Sequence, residues 1–216
     1  KKAEQELRRH VRHVNFSAAI GLGLSQIPTL PEMLQCCAEA MVSHLNATIA
    51  RVWIMNERHD LLELQGSAGV CQRLDELQSR VQVGHQTIGS IALQKSPFVT
   101  QTIANCLNVG DPHWASLHQL ASFAGYPLLV EGRCLGVVAI FSRDRIDQDS
   151  LDSLALVANG LAQYIERKNS ATMLAELNAT LEQRVIQRTF ELKSSEQFNR
   201  ATLDALSAHV RSEEHT

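Results

Sequence analysis

Apolar positions along this chain change their period several times, and each change marks an element. Leu7, Val11, Val14, Ala18 and Gly21 recur at alternating steps of four and three with charged residues between them. That spacing predicts an amphipathic helix over residues 3–25 with a narrow stripe. Ile27, Pro28 and Thr29 interrupt it. Thr29 or Leu30 then caps a second helix with Pro31 in its first turn, where a missing N–H costs nothing. This helix places Leu34, Cys37, Met41 and His44/Leu45 on one face and ends near Asn46.

From Thr48 the pattern is that of strands. Thr48–Met55 is rich in β-branched and bulky residues, Asn56–Asp60 is a polar turn, and in Leu61–Gln65 the residues Leu62 and Leu64 alternate with Glu63 and Gln65. Gly66–Leu77 reads as loop or short helix. A short helix over Thr87–Gln94 is stopped by Lys95, Ser96 and Pro97, and Phe98–Gln101 is a brief strand. Thr102–Leu120 is irregular, with Asn108, Gly110, Asp111 and Pro112 as breakers and one or two helical turns in Trp114–Leu120. Phe123–Val130 and Arg133–Phe141 then flank Glu131-Gly132, a two-residue hairpin loop with glycine where a positive φ is needed. Leu135–Phe141 is apolar throughout, so both faces of that strand should be covered. Strands joined largely by hairpins and flanked by helices indicate an α+β fold on an antiparallel sheet.

Three of these stretches resemble the GAF family of sensory domains. Val83–Ala92, with Gly84 and Gly89, followed by Ser96–Val99, is similar to the family's glycine-spaced short helix and next strand. Ser122–Phe141, with Gly125, Pro127, Gly132 and Gly136, is similar to its last two strands, and Asp147–Ile165 to its closing helix. The resemblance places a GAF domain over residues 26–167 and implies a ligand pocket above the sheet, lined by the short helices and the variable stretch. Trp53, His113, Trp114, His118 and Tyr126 are the candidates for lining it, each with ordinary packing as its plainer reading. The N-terminus of the Thr87–Gln94 helix offers free N–H donors to an anionic group.

The helix predicted to start at Asp147 runs on to about Ser195 and carries two stripes. Leu151, Leu154, Ala158, Leu161 and Ile165 have the spacing of a face packed on the domain's own sheet. A second stripe, at heptad spacing, comprises Val157, Gly160, Tyr164, Arg167, Ala171, Leu174, Asn178, Leu181, Val185, Arg188, Leu192 and Ser195. Such alternation suits a left-handed supercoil, and a polar Asn178 within it would fix register at some cost in stability. The alternative is a single amphipathic helix with no partner. Exposure of Leu174, Leu181, Val185 and Leu192 would then forgo roughly 1.5–3 kcal/mol for each side chain. A parallel homodimer through this helix, joined by the helix of residues 3–25, is therefore expected. Leu181–Leu192 resembles the signalling-helix linker that joins sensor modules in bacterial histidine kinases, which sets a coiled coil over 168–196. Residues 197–216 are similar at their start to the entry helix of a PAS domain; Arg211–Thr216 have no reading.

Composition narrows the functions. The formal net charge is −3, which leaves no basic stripe for nucleic acid. No apolar run reaches the roughly 18 residues that span a bilayer, and a cytoplasmic location is expected. The 5 cysteines (Cys36, Cys37, Cys71, Cys106, Cys134) show no CxxC spacing, which argues for reduced thiols over a disulfide framework. The chain opens without Met on a helical pattern, as a piece of something longer would. No catalytic motif is present: no P-loop, no HExxH, no GxSxG, and Gly21-Leu22-Gly23 is half a dinucleotide fingerprint after a helix. Cys106, His113 and His118 have no metal-site spacing. No cysteine is followed by His, which argues against the covalent bilin held by some GAF domains. A reductase of the GAF fold would need paired cysteines such as Cys71 and Cys106. The cofactor is unknown, and a small-molecule ligand, identity open, is the expected partner besides a second copy. The sequence thus predicts a sensory domain of a signal-transduction protein with a histidine kinase as output. Its rivals are a pure dimerisation spacer and a chromophore-binding photosensor.

Overall fold

The computed structural model describes residues 29–70, 79–103 and 112–213, the side chains of 112–114, 198–199 and 201–213 excepted. The helix expected over residues 3–25 lies outside them, as do Cys71, Cys106 and the last three residues. The chain divides into two units, Lys1–Lys168 and Asn169–Thr216.

In the first unit the elements follow as α1 (Leu30–His44), β1 (Ile49–Met55), β2 (Leu61–Gly69) and β3 (Arg80–Gln82). After them come α2 (Gln86–Gln94), β4 (Phe98–Thr100), α3 (Pro112–Leu117), β5 (Ser122–Val130), β6 (Arg133–Ser142) and the start of α4 (Gln148–Glu213). The sheet has 6 strands in the order β3-β2-β1-β6-β5-β4. Every neighbouring pair is antiparallel. The α+β antiparallel architecture is the one the alternation of strands and helices predicts.

Local chemistry fixes the two hairpins. Asn56 closes the first, its Oδ1 accepting from the backbone N–H groups of Asp60 and Leu61, each at 3.2 Å. At the second, Glu131 (φ 49°) and Gly132 (φ 77°) both take positive φ, the condition for a two-residue turn matched to strand twist. Between Leu128 and Leu129 the register slips, so that Leu129 faces Cys134 and Leu135 is the extra residue of a bulge in β6. From Cys134 on, β6 is buried along its whole length, because helices cover both faces of the sheet.

One face carries α1 and α4. Met33, Leu34 and Met41 of α1 and Leu154, Leu161 and Ile165 of α4 pack there with Ala50, Val52, Val138 and Ile140. The helix α1 is also tied to the sheet by polar atoms. Gln35 donates from Nε2 to the carbonyl of Ser67 (3.0 Å) and accepts on Oε1 from its N–H (3.1 Å), in place of a neighbouring strand. The other face carries α2, whose Ile88, Ile91 and Ala92 pack with Ile49, Trp53, Phe123 and Val137.

Two departures from the pattern-based expectation concern edges. β2 extends to Gly69, and β3, hydrogen-bonded to it over Arg80–Gln82, was not anticipated. Of its three residues only Val81 is buried, too little for a period to register.

Asp147 caps α4, its Oδ1 accepting from the N–H of Ser150 at 2.9 Å. The helix is 66 residues long, well beyond the end expected near Ser195. No Gly or Pro follows Gly160, so nothing in the sequence stops it. In the second unit, residues 169–197 are all exposed. No helix among the described residues is long and apolar enough to cross a membrane.

Candidate functional site

The face under α2 is where a pocket of the expected kind would lie. Trp53 sits in it, 2% exposed, opposite Val137 of β6. Tyr126 does not. It pairs with Val138, whose side chain belongs to the α1/α4 face, and it packs there half-buried. Burial raises the pKa of its phenol, with the Asp152 carboxylate of α4 adding to the rise. Trp53 and Tyr126 thus lie on opposite faces of one sheet and cannot line one cavity. His118 follows α3 in a turn, half-buried, with its carbonyl accepting from Arg143 Nε at 3.1 Å. His113 and Trp114 fall on α3, and their side chains are outside the described set.

Around Trp53 the lining is almost wholly apolar. Ile88, Ile91, Phe123, Cys134, Val137 and Ala139 are all buried on this face. Phe123 stacks edge-on against Phe141 with ring centroids 5.0 Å apart. Arg51 is the exception that sequence reading passed over. It points to the same face as Trp53 two residues on, is 1% exposed, and lies opposite Ala139 and Ser67. Its Nε–H has no acceptor, although the residue is otherwise partnered. The signal was a lone Arg in the apolar run Ile49–Met55.

At the N-terminus of α2, His85 occupies the cap position without a side-chain capping bond, and the first turn carries no acidic residue. The Cys134 thiol donates to the Gly136 carbonyl at 3.2 Å. Burial raises its pKa, against the lowering effect of the Gly136 backbone amide and of nearby Lys95. Cys36, Cys37 and Cys134 are free thiols. Among the described residues no group of three or more His, Cys, Asp or Glu could hold a metal ion.

A family model for the GAF domain matches residues 28–166. The chain belongs to the GAF domain family. No curated protein matches it. Among solved structures, the GAF domain of a phosphoenolpyruvate-protein phosphotransferase from Coxiella burnetii is similar at 16% identity, with a TM-score of 0.67 over 76% of this chain and 98% of that one. The A. aeolicus nlh2 GAF domain in an inactive state is 18% identical, with a TM-score of 0.61 over 74% of this chain and 99% of that one. Free methionine-R-sulfoxide reductase from Neisseria meningitidis, in complex with its substrate, is 16% identical, with a TM-score of 0.60 over 74% and 93%. At these identities the likeness is one of fold.

The GAF glycines have steric reasons here. A Cβ on Gly136 would sit 2.2 Å from the Trp53 carbonyl oxygen, and one on Gly89 2.2 Å from that of Gln82. Both contacts are with backbone, which cannot yield as a side chain would. Gly136 therefore lets β6 lie against β1 directly beside Trp53, and Gly89 lets α2 approach the end of β3. These glycines set how closely α2 and β6 approach their neighbours.

Of the expected seam on α4, Val157 (3% exposed) and Tyr164 (4%) are buried in the GAF core together with Leu154 and Leu161. They are already used by their own domain. Gly160 is half-buried, with open space where a Cβ would be. Asn178 is exposed, and Leu174 (61%), Leu181 (48%), Val185 (65%) and Leu192 (66%) are large apolar side chains open to solvent.

Proposed function

We propose that this GAF domain is the sensory module of a signal-transduction protein, and that it passes a change in its own packing along α4, paired with a second copy, to an output domain such as a histidine kinase. The observation that carries this reading is the run of exposed apolar residues in the second unit. Leu174, Leu177, Leu181, Val185 and Leu192 fall within one side of the helix, and all are at least 48% exposed. Burying each such side chain fully stabilises by roughly 1.5–3 kcal/mol, and a second copy in parallel brings like residues together in register. A small molecule under α2 would supply the input, biasing an element that has two arrangements. Trp53, His113, Trp114 and His118 remain the candidates to touch it, with Arg51 added.

A spacer without ligand is the second reading, and a specific observation favours it. The described apolar side chains that meet between α2 and the sheet, Ile88, Ile91, Trp53, Phe123 and Val137 among them, are buried in one cluster. Thermal-shift measurement against a metabolite library separates the two. A ligand that binds the folded state raises the midpoint with concentration. A midpoint that no compound moves would favour the spacer.

A further inference from the structure

A change under α2 has to reach α4 across a six-stranded sheet, because the two helices pack on opposite faces. A polar route runs around the end of that sheet. Lys95 occupies the C-cap of α2 at φ 53°, a left-handed position that glycine or asparagine usually takes. Its ammonium donates to the carbonyl of Gly132, at the tip of the β5–β6 hairpin, at 2.6 Å. The next residue, Arg133, donates from Nη2 to Glu166 Oε1 on α4 at 2.8 Å. Glu166 lies two residues before Lys168, where the first unit ends.

We propose that the hairpin tip is a coupling element that ties α2 to the last GAF-packed turn of α4 through Lys95–Gly132 and Arg133–Glu166. Three features support it. The two bonds sit on consecutive residues of one tight turn, so displacement of one is transmitted along a single peptide. The turn is fixed by two positive-φ residues, Glu131 and Gly132, which leaves it little freedom to absorb motion. Both helices pack on the sheet through broad apolar faces, and the tip adds directional bonds at the C-terminal end of α2 and at the last GAF-packed turn of α4. Lys95, Arg133 and Glu166 are positioning residues; none is asked to touch a ligand. The tie itself does not depend on what binds, and its use in carrying a binding signal rests on the sensor reading.

Amide hydrogen exchange on the full chain, without any ligand, tests the tie. Lys95→Met should speed exchange in residues 160–168 about two- to fivefold, the size an exposed polar contact supports, although Lys95 itself bonds to the hairpin and not to α4. Glu166→Gln should do the same to residues 86–95. The exchanged pair Arg133→Glu with Glu166→Arg should restore wild-type exchange in both segments. Changes from Lys95→Met confined to residues 86–95 and 130–134, uniform acceleration of all segments, or failure of the exchanged pair to restore would each overturn the proposal. A ligand screen that fails would leave the tie standing, and a tie that fails would leave the ligand reading standing.

Discussion

Burial pushes the Cys37 thiol from an ordinary value of 9.0 up to about 12, and the neighbouring Cys36 thiol adds to the rise. Because the folded value is the higher one, the fold's preference for the neutral thiol is fully present below pH 9.0 and is lost as pH rises toward about 12. Stability should therefore fall across that window by at most about 1.4 kcal/mol per pH unit from this group. Urea midpoints at several pH values, for wild type and Cys37→Ala, check it: the substituted chain should lose stability less steeply above pH 9.0. Equal slopes would show that Cys37 is not the titrating group. At this scale the sequence was partly legible. Cys37 on a buried helix face followed from spacing. The burial of Arg51 did not, because one charged residue in an apolar strand reads equally well as an exposed position.

Paired amide clasps hold the elements of the GAF domain in place where strands run out. Gln101, just after β4, donates from Nε2 to the Ile146 carbonyl at 2.9 Å and accepts from its N–H at 3.1 Å, which fixes the segment leading to the cap of α4. Gln101→Met keeps the length of the side chain and leaves both backbone groups of Ile146 without that partner. It should cost about 1–3 kcal/mol in chemical unfolding; a change below a few tenths would mean that water replaces the clasp. The hairpins, α1 and α2 could be read from the sequence because their periods and turn residues are local. The faces of Trp53 and Tyr126 could not. Alternation orders residues within one strand, whereas their relation depends on register across β1, β6 and β5, and bulges at Val52/Trp53 and Leu128/Leu129 interrupt that register. β3 was missed for want of length.

For the molecule as a whole, the long helix divides its apolar residues between two tasks. Up to Ile165 most of them complete the GAF core, Val157 and Tyr164 included, although heptad counting had assigned those two to a partner; Leu156 is 58% exposed. A heptad count reads only spacing, and the sheet claims whatever faces it. Beyond Lys168 every residue from 169 to 197 is exposed. The claim that α4 pairs with a second copy is tested most directly by multi-angle light scattering on the full chain at tens of micromolar. The account predicts the mass of two chains, falling to one when Leu181→Glu and Val185→Glu are combined. A single-chain mass for the wild type, or a dimer that the double substitution leaves intact, would contradict it.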